Sequence, residues 1–388
     1  MAITVKDILS LKSAAGFIPI AGQNGLNSSV EMVDMLDFAW ENKGTYSEDL
    51  FDRYSFVVSS LLFARDDEKK LYETLRRLIE CGVSGLAYKT VFFQSLPREV
   101  CALADENNFP IFRFDDNITF REIIVDIEDA VRLNKDILKN ANYLSEMISK
   151  NLSQDEITRY TIGISSMFNK YARVTMLSEI DLNSTGSVDN IIRRFRSADA
   201  DYGRVALCKF MNGLAIIATM PDNNPLRFDF CVRRIISGYV CPTDATLISH
   251  SDIHLTGAGL ATCVKESYYA SIAAQVLEHG EISYNQIGTL QFLIPIINTP
   301  SLHEFMKRFL NPIFHDGEMM KTAIAFVRSD ANYDSTAAKL NCHKNTIRYR
   351  VNKIHLLLAP DAAFETFYEA LSISIKTLLI RQIHSIIF

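Results

Sequence analysis

The sequence predicts an α/β multidomain protein in four parts: an N-terminal α/β domain over 1–118, a long connecting helix over 119–150, a second α/β domain over 151–295 and an all-α C-terminal domain over 300–388. Three observations carry this. Short apolar runs alternate with helical periodicity in the first and third parts, the pattern of strands and helices stacked in layers. From Phe120 to Ala141 apolar residues recur in steps of four and three, the spacing of a helix with one seam. Beyond residue 300 only helical patterns occur, broken at Pro312 and Pro360.

In the first part, residues 30–36 and 56–63 are apolar runs, the second nearly continuous as a buried strand is. Leu71, Leu75, Leu78 and Ile79 then follow a helical period that Gly82 closes. A strand over 85–88, a helix over 97–106 and a strand over 110–114 complete the alternation, for which a parallel sheet is the default. The connecting helix carries the seam Phe120, Ile124, Ile127, Val131, Asn134, Leu138 and Ala141. Asn134 fixes the register if two chains pair along this seam, and packing within one chain is the other reading. In the third part, strands over 204–210 and 214–220 flank Met211-Asn212-Gly213, whose Asn-Gly pair is a strong hairpin signal. A strand over 172–177, a helix over 190–198, a strand over 246–249 and a helix over 267–278 surround that hairpin, giving a mixed or antiparallel sheet.

A chain of 388 residues exceeds one core of ordinary size, and 48% hydrophobic with 22% charged residues is a soluble globular composition. Lys6, Asp7 and Lys12 interrupt the opening residues, so no secretory leader is expected. The apolar run 287–297 is shorter than the roughly 20 residues that span a bilayer, and the tail carries Lys376 and Arg381. The expectation is a cytoplasmic protein without membrane contact. Seven cysteines, an odd count with no CxxC pair, read as reduced core residues. His250 and His254 have i, i+4 spacing but lie in a polar, Gly-containing stretch with no HExxH glutamate, so no metal is assigned. No P-loop, nucleophile elbow or complete dinucleotide fingerprint occurs, and Gly257-Ala258-Gly259 reads as a turn before a helix. No catalytic residue and no cofactor is expected.

The most informative segment is 334–358, in which Lys339, Lys344, Arg348, Arg350 and Lys353 face the single acid Asp334 within a chain of formal net charge −6. Cations gathered on one element of an acidic protein mark a nucleic-acid contact. Asp334 or Ser335 is the expected cap of a short helix over 336–340. Ala337 is small enough for a second helix to cross, and Asn341, four residues on, tolerates a left-handed turn. Together these two residues define a helix-turn-helix. Ile347, Val351, Ile354 and Leu358 then form one apolar stripe. Asn345, Arg348, Tyr349 and Asn352 are left outward as candidate base readers, since Arg pairs with guanine and Asn with adenine in the major groove. Lys344, Thr346, Arg350 and Lys353 are the candidate phosphate contacts.

The run HKNTIRYRVNKI, from His343 to Ile354, resembles the helix-turn-helix of the PucR/CdaR family of bacterial transcriptional regulators, with Lys344 replacing that family's arginine. The first ~115 residues are similar to its N-terminal sensory domain in the opening VKDIL, in Ala21-Gly22, in Val30-x-x-Val33 and in the turn Cys81-Gly82-Val83-Ser84-Gly85-Leu86. Ser59-Ser60-Leu61 stands where the family often has Thr-Thr-Gly. The third part resembles the GGDEF-like domain of these regulators around Gly257 and Glu266-Ser267-Tyr268-x-Ala270, without a GG[DE]EF motif. The resemblance implies a ligand-responsive regulator of a metabolic operon, often of purine or other nitrogen-compound catabolism. Its partners would be double-stranded operator DNA, a small-molecule effector and further copies of itself as a homodimer or higher oligomer. A nucleotide-processing enzyme acting through the third part, or a DNA-associated adaptor without effector, are the alternatives.

Overall fold

The computed structural model describes residues 2–37, 51–115, 117–180, 187–211, 213–240 and 242–387. The chain forms two compact units, Met1–Lys139 and Asn140–Phe388.

In the first unit five strands, β1 (Ile18–Ala21), β2 (Met32–Met35), β3 (Ser55–Ser59), β4 (Gly85–Lys89) and β5 (Ile111–Phe114), form a sheet in the order β1-β5-β4-β3-β2. Neighbours from β2 to β5 run parallel, and β1 is an antiparallel edge. The parallel sheet expected from the alternation is present, whereas β1 was not expected. It carries Pro19, which argues against a central strand but is tolerated at an edge. The run expected over 30–36 is split, because Val30 pairs with Ile3 in a separate two-stranded ladder while Met32 pairs with Ser55.

Successive strand residues point to opposite faces, and both faces are covered. Val57, Leu86, Tyr88 and Ile111 pack against α1 (Glu68–Glu80) and α2 (Arg98–Glu106). Phe56, Val58, Ala87, Phe112 and Phe114 pack against Val5 and Ile8 and the start of α3 (Phe120–Ser149). Asp67 caps α1 by accepting from the N–H groups of Lys69 and Lys70, and Gly82 ends it at φ 76. On α3, Ile123, Ile127, Val131, Ile137 and Leu144 are buried, but Leu138 is 38% exposed and Phe120 half-buried. Apolar residues occupy two overlapping heptads on this helix: Ile127 and Val131 of the expected seam are buried, and towards its end burial passes to Ile137 and Leu144 while Leu138 is left outward.

The run expected over 56–63 stops as a strand at Ser59, because Leu61 is left-handed at φ 60. This is the position where the family resemblance has glycine. A left-handed L residue costs about 1–2 kcal/mol, and burying a leucine contributes about 1.5–3 kcal/mol, which offsets it since Leu61 is 1% exposed. Leu61→Gly is therefore expected to destabilise the protein less than Leu75→Ala, an ordering that denaturant unfolding of both variants checks.

The second unit begins with the end of α3 and α4 (Gln154–Ile164), where Tyr143 stacks on Tyr160 with ring centroids 4.3 Å apart. Its sheet comprises β6 (Tyr171–Ser178), β7 (Val205–Phe210), β8 (Gly213–Met220), β9 (Leu247–His250) and β11 (Glu281–Ser283), ordered β11-β9-β6-β8-β7, with β10 (His254–Leu255) also on β6. All pairs are antiparallel except β9 with β11. The β7–β8 hairpin closes with Gly213 opposite Phe210; Asn212 of its turn lies outside the described residues. A Cβ on Gly213 would sit 2.0 Å from the Leu177 carbonyl oxygen, so no larger residue fits between β8 and β6.

Helices α5 (Val188–Ala198) and α6 (Pro225–Ile235) are followed by α7 (Leu260–Leu277). Helix α7 starts two turns before the expected residue 267. It is buried on nearly every side against Ala172, Val174 and Ile217, so it lacks the polar face that makes helical periodicity visible. The C-terminal part consists of α8 (Pro300–Leu310), α9 (Gly317–Arg328), α10 (Tyr333–Lys339), α11 (Lys344–Leu358) and α12 (Phe364–Ile387). Its core, including Phe326, Ile347, Val351, Ile354 and Phe367, is continuous with that beneath α7.

Candidate DNA-binding site

Helix α10 opens at Tyr333, three residues before the expected Thr336, and its cap is Asn332 rather than Asp334 or Ser335. The Asn332 side chain accepts from the Asp334 and Ser335 N–H groups, each at 2.9 Å, which places the expected caps inside the first turn. Asn341 is left-handed at φ 50, and the Cys342 N–H donates to the Ala337 carbonyl at 3.1 Å across the turn. Ala337 is 7% exposed at the crossing of α10 and α11. His343 caps α11: its Nδ1 accepts from the Asn345 N–H at 3.2 Å.

Ile347, Val351 and Ile354 are buried in the core shared with α9 and α12. Burial of each such side chain contributes about 1.5–3 kcal/mol, which fixes the rotation of α11 about its axis. The opposite face is therefore held outward. Asn345, Arg348, Tyr349 and Asn352 are exposed there, Tyr349 at 69%. Asn345, Arg348 and Asn352 stand at i, i+3 and i+7, about 10 Å of axial rise at 1.5 Å per residue. That covers roughly three base-pair steps of 3.4 Å.

The candidate phosphate contacts divide into two kinds. Lys353 is exposed and Thr346 half-buried. Lys344 Nζ lies 2.6 Å from Asp334 Oδ2, and Arg350 Nη2 lies 2.9 Å from Glu318 Oε1. Both carboxylates are largely solvated, and exposed ion pairs of this kind are worth about 0–1 kcal/mol. A phosphate can displace them. Arg348 rests with its guanidinium carbon 5.8 Å from the Tyr333 ring centroid, a cation–π contact that limits where the side chain points.

A second cluster joins this motif to the third part of the chain. Arg328, at the end of α9, donates through Nε to the Val276 carbonyl at 2.9 Å and pairs with Glu278, whose other oxygen is 3.7 Å from Lys339 Nζ. Sequence reasoning missed Glu278, Glu318 and Tyr333 because each acts through a contact made only on folding. The Asn332 cap carried a readable signal, an Asn directly before a helical run. Glu278→Gln is expected to release Lys339 and Arg328 for phosphates. DNA affinity at low salt should rise several-fold and the salt slope should steepen, by about 0.9 for each phosphate contact added, as titrations at several salt concentrations would read.

His250 Nε2 meets Glu281 at 3.0 Å and Nδ1 meets the Thr175 hydroxyl at 2.9 Å, whereas His254 Nε2 meets Glu266 at 2.9 Å. The two rings therefore serve separate hydrogen bonds. Among the described residues no group of three or more metal-ligating side chains forms, and no helix is long and apolar enough to cross a membrane.

Residues 7–131 match the Purine catabolism regulatory protein-like (PucR) family, and residues 319–376 match the PucR C-terminal helix-turn-helix domain. The two matches lie at opposite ends of the chain, and both are to parts of PucR-type proteins. The second match spans α9 to α11 and most of α12, so the PucR helix-turn-helix includes every candidate DNA contact above. A Purine catabolism regulatory protein of Bacillus subtilis (strain 168) is 21% identical over 177 residues, 45% of this chain. The match spans only 31% of that relative's length. A crystal structure of a Regulator of Polyketide Synthase Expression from Bifidobacterium adolescentis aligns with 64% of this chain and 99% of its own, at 14% identity and a TM-score of 0.30.

Proposed function

We propose that this chain is a DNA-binding transcriptional regulator of the PucR family, not an enzyme, and that α11 enters the major groove of operator DNA. The observation that carries the reading is the division of α11. Its apolar stripe is buried, and the face left outward presents Asn345, Arg348, Tyr349 and Asn352, the side chains suited to base edges. Lys344, Thr346, Arg350 and Lys353 flank that face and would position the helix on phosphates. Ala337 and Asn341 hold the turn between the two helices.

The reading extends to a homodimer, because two half-sites about one DNA turn apart multiply a small interface. It also includes a small-molecule effector of a metabolic operon, for which the PucR-like region and the third part are both candidate sensors. The third part is read as GGDEF-like, and its β-α-β-β-α-β order with β6 central supports a split βαβ arrangement. The odd cysteine count without a CxxC pair supports a reducing cytoplasmic setting.

Capture of sheared genomic DNA on the purified protein, followed by sequencing, tests the proposal. Enrichment of a few fragments sharing one inverted motif is expected, and the neighbouring genes identify the pathway. Recovery of genomic DNA without enrichment would contradict it.

A further inference from the structure

A cavity of about 640 Å³ opens in the second unit at the ends of β7 and β8, beside the first turns of α6. Its volume lies in the range of small-molecule sites. One wall is apolar: Val205, Met220, Leu226 and Phe230 line it. Leu226 and Phe230, at i and i+4 of α6, project from the same side of the helix. They are 76% and 73% exposed, the highest values among the large apolar residues described. Two such neighbours held in water above a concave surface mark a place where an apolar body is received.

The polar wall specifies charge. Arg227 is paired with Asp222 at 2.7 Å. Arg234 is held by Asp199 at 2.6 Å and by Asp201 at 2.8 Å, and Asp199 is almost fully buried, which fixes that guanidinium as part of the wall. One guanidinium is thus shared by two carboxylates, and the group as a whole keeps one negative charge. Arg204 also lines the cavity; it is exposed and has no carboxylate partner among the described residues. Its backbone is fixed, since its carbonyl accepts from the Thr219 hydroxyl at 2.6 Å. Arg204 is therefore the lining guanidinium left without a carboxylate partner among the described residues, in a cavity that Phe230 and Leu226 also line.

We infer that this cavity binds a small organic anion, a flat apolar body bearing one carboxylate, with the carboxylate on Arg204 and the body against Phe230 and Leu226. A guanidinium pairs with a planar carboxylate through two parallel hydrogen bonds, and the apolar body removes Phe230 and Leu226 from water. Nothing in this binding depends on DNA.

The test is isothermal titration of the full chain with 2-naphthoate and with its neutral counterpart 2-naphthamide, on the unaltered protein and on Arg204→Gln and Phe230→Ser. Both positions are exposed, and thermal unfolding checks that both variants fold. Saturable binding of naphthoate is expected. Arg204→Gln should weaken naphthoate about tenfold, the effect of losing one charge-assisted contact, and leave naphthamide unchanged. Phe230→Ser should weaken both. The inference is overturned if naphthoate does not saturate the unaltered protein, or if Arg204→Gln leaves its affinity unchanged. It is also overturned if Phe230→Ser dissociates an oligomer in sedimentation velocity while naphthoate binding persists, which would make this face a contact between copies.

Discussion

Replacing Arg348 with alanine is expected to weaken binding to the captured operator by roughly 10- to 100-fold, the span of the 1–3 kcal/mol that one bidentate base contact supplies. The side chain lies on the exposed face of α11, where truncation removes no buried surface, so the unfolding midpoint should barely move. Its one described contact is with the Tyr333 ring, and a solvent-exposed cation–π pair is worth about 0.5–1 kcal/mol. The loss should be concentrated at one base pair: operator variants changed there should bind Arg348→Ala and the unaltered protein with nearly equal affinity. Lys353→Ala should instead weaken every sequence alike and reduce the salt slope by about 0.9. Fluorescence anisotropy on a set of single-base operator variants separates the two patterns. Equal losses across all base pairs for Arg348→Ala would move that residue from the base-reading set to the phosphate set.

Phe326→Ala is expected to have the largest effect on stability, about 3–5 kcal/mol. Phe326 on α9 is fully buried, with its ring centroid 5.1 Å from that of Tyr333 on α10 and 5.7 Å from that of Tyr368 on α12. Removing it opens a cavity where three helices of the motif meet and leaves both tyrosines without their ring partner. Because this core continues beneath α7, the loss should appear in the unfolding of the whole second unit rather than as fraying of the motif alone. Denaturant unfolding monitored separately by far-ultraviolet circular dichroism and tyrosine fluorescence would test this. A variant whose midpoint shifts by one probe only would show that the motif folds independently of the third part.

The parts of this fold legible in the sequence are those governed by local rules. The β7–β8 hairpin lies where two apolar runs flank a short turn signal, although Gly213 pairs with Phe210 inside the ladder rather than forming the turn; α1 follows from its apolar period and the Gly82 stop, and the buried stripe of α11 from Ile347, Val351 and Ile354 at helical spacing. Where tertiary context decides, the sequence is silent. Strand β1 exists because an edge tolerates Pro19. The start of α7 carries no amphipathic signature because the helix has hardly any solvent face, and α3 offers two overlapping apolar seams between which only packing chooses. At the candidate site, residue types and outward face were readable from periodicity. The pairing of Lys344 with Asp334 and of Arg350 with Glu318 was not, because each depends on where the turn and α9 bring a carboxylate. The left-handed Leu61 is intermediate: departure from a family glycine is visible in the sequence, but its cause, a positive φ, is visible only in the fold.

The central claim is that α11 reads DNA through a basic outer face on an otherwise acidic chain. The most direct measurement is the affinity of the full chain for a captured genomic fragment and for a random duplex of equal length, across a series of salt concentrations. The account predicts that log affinity falls linearly with log salt for both duplexes, with the captured fragment bound at least about 1,000-fold more tightly at physiological salt. Equal affinity for the two duplexes at every salt concentration would contradict it.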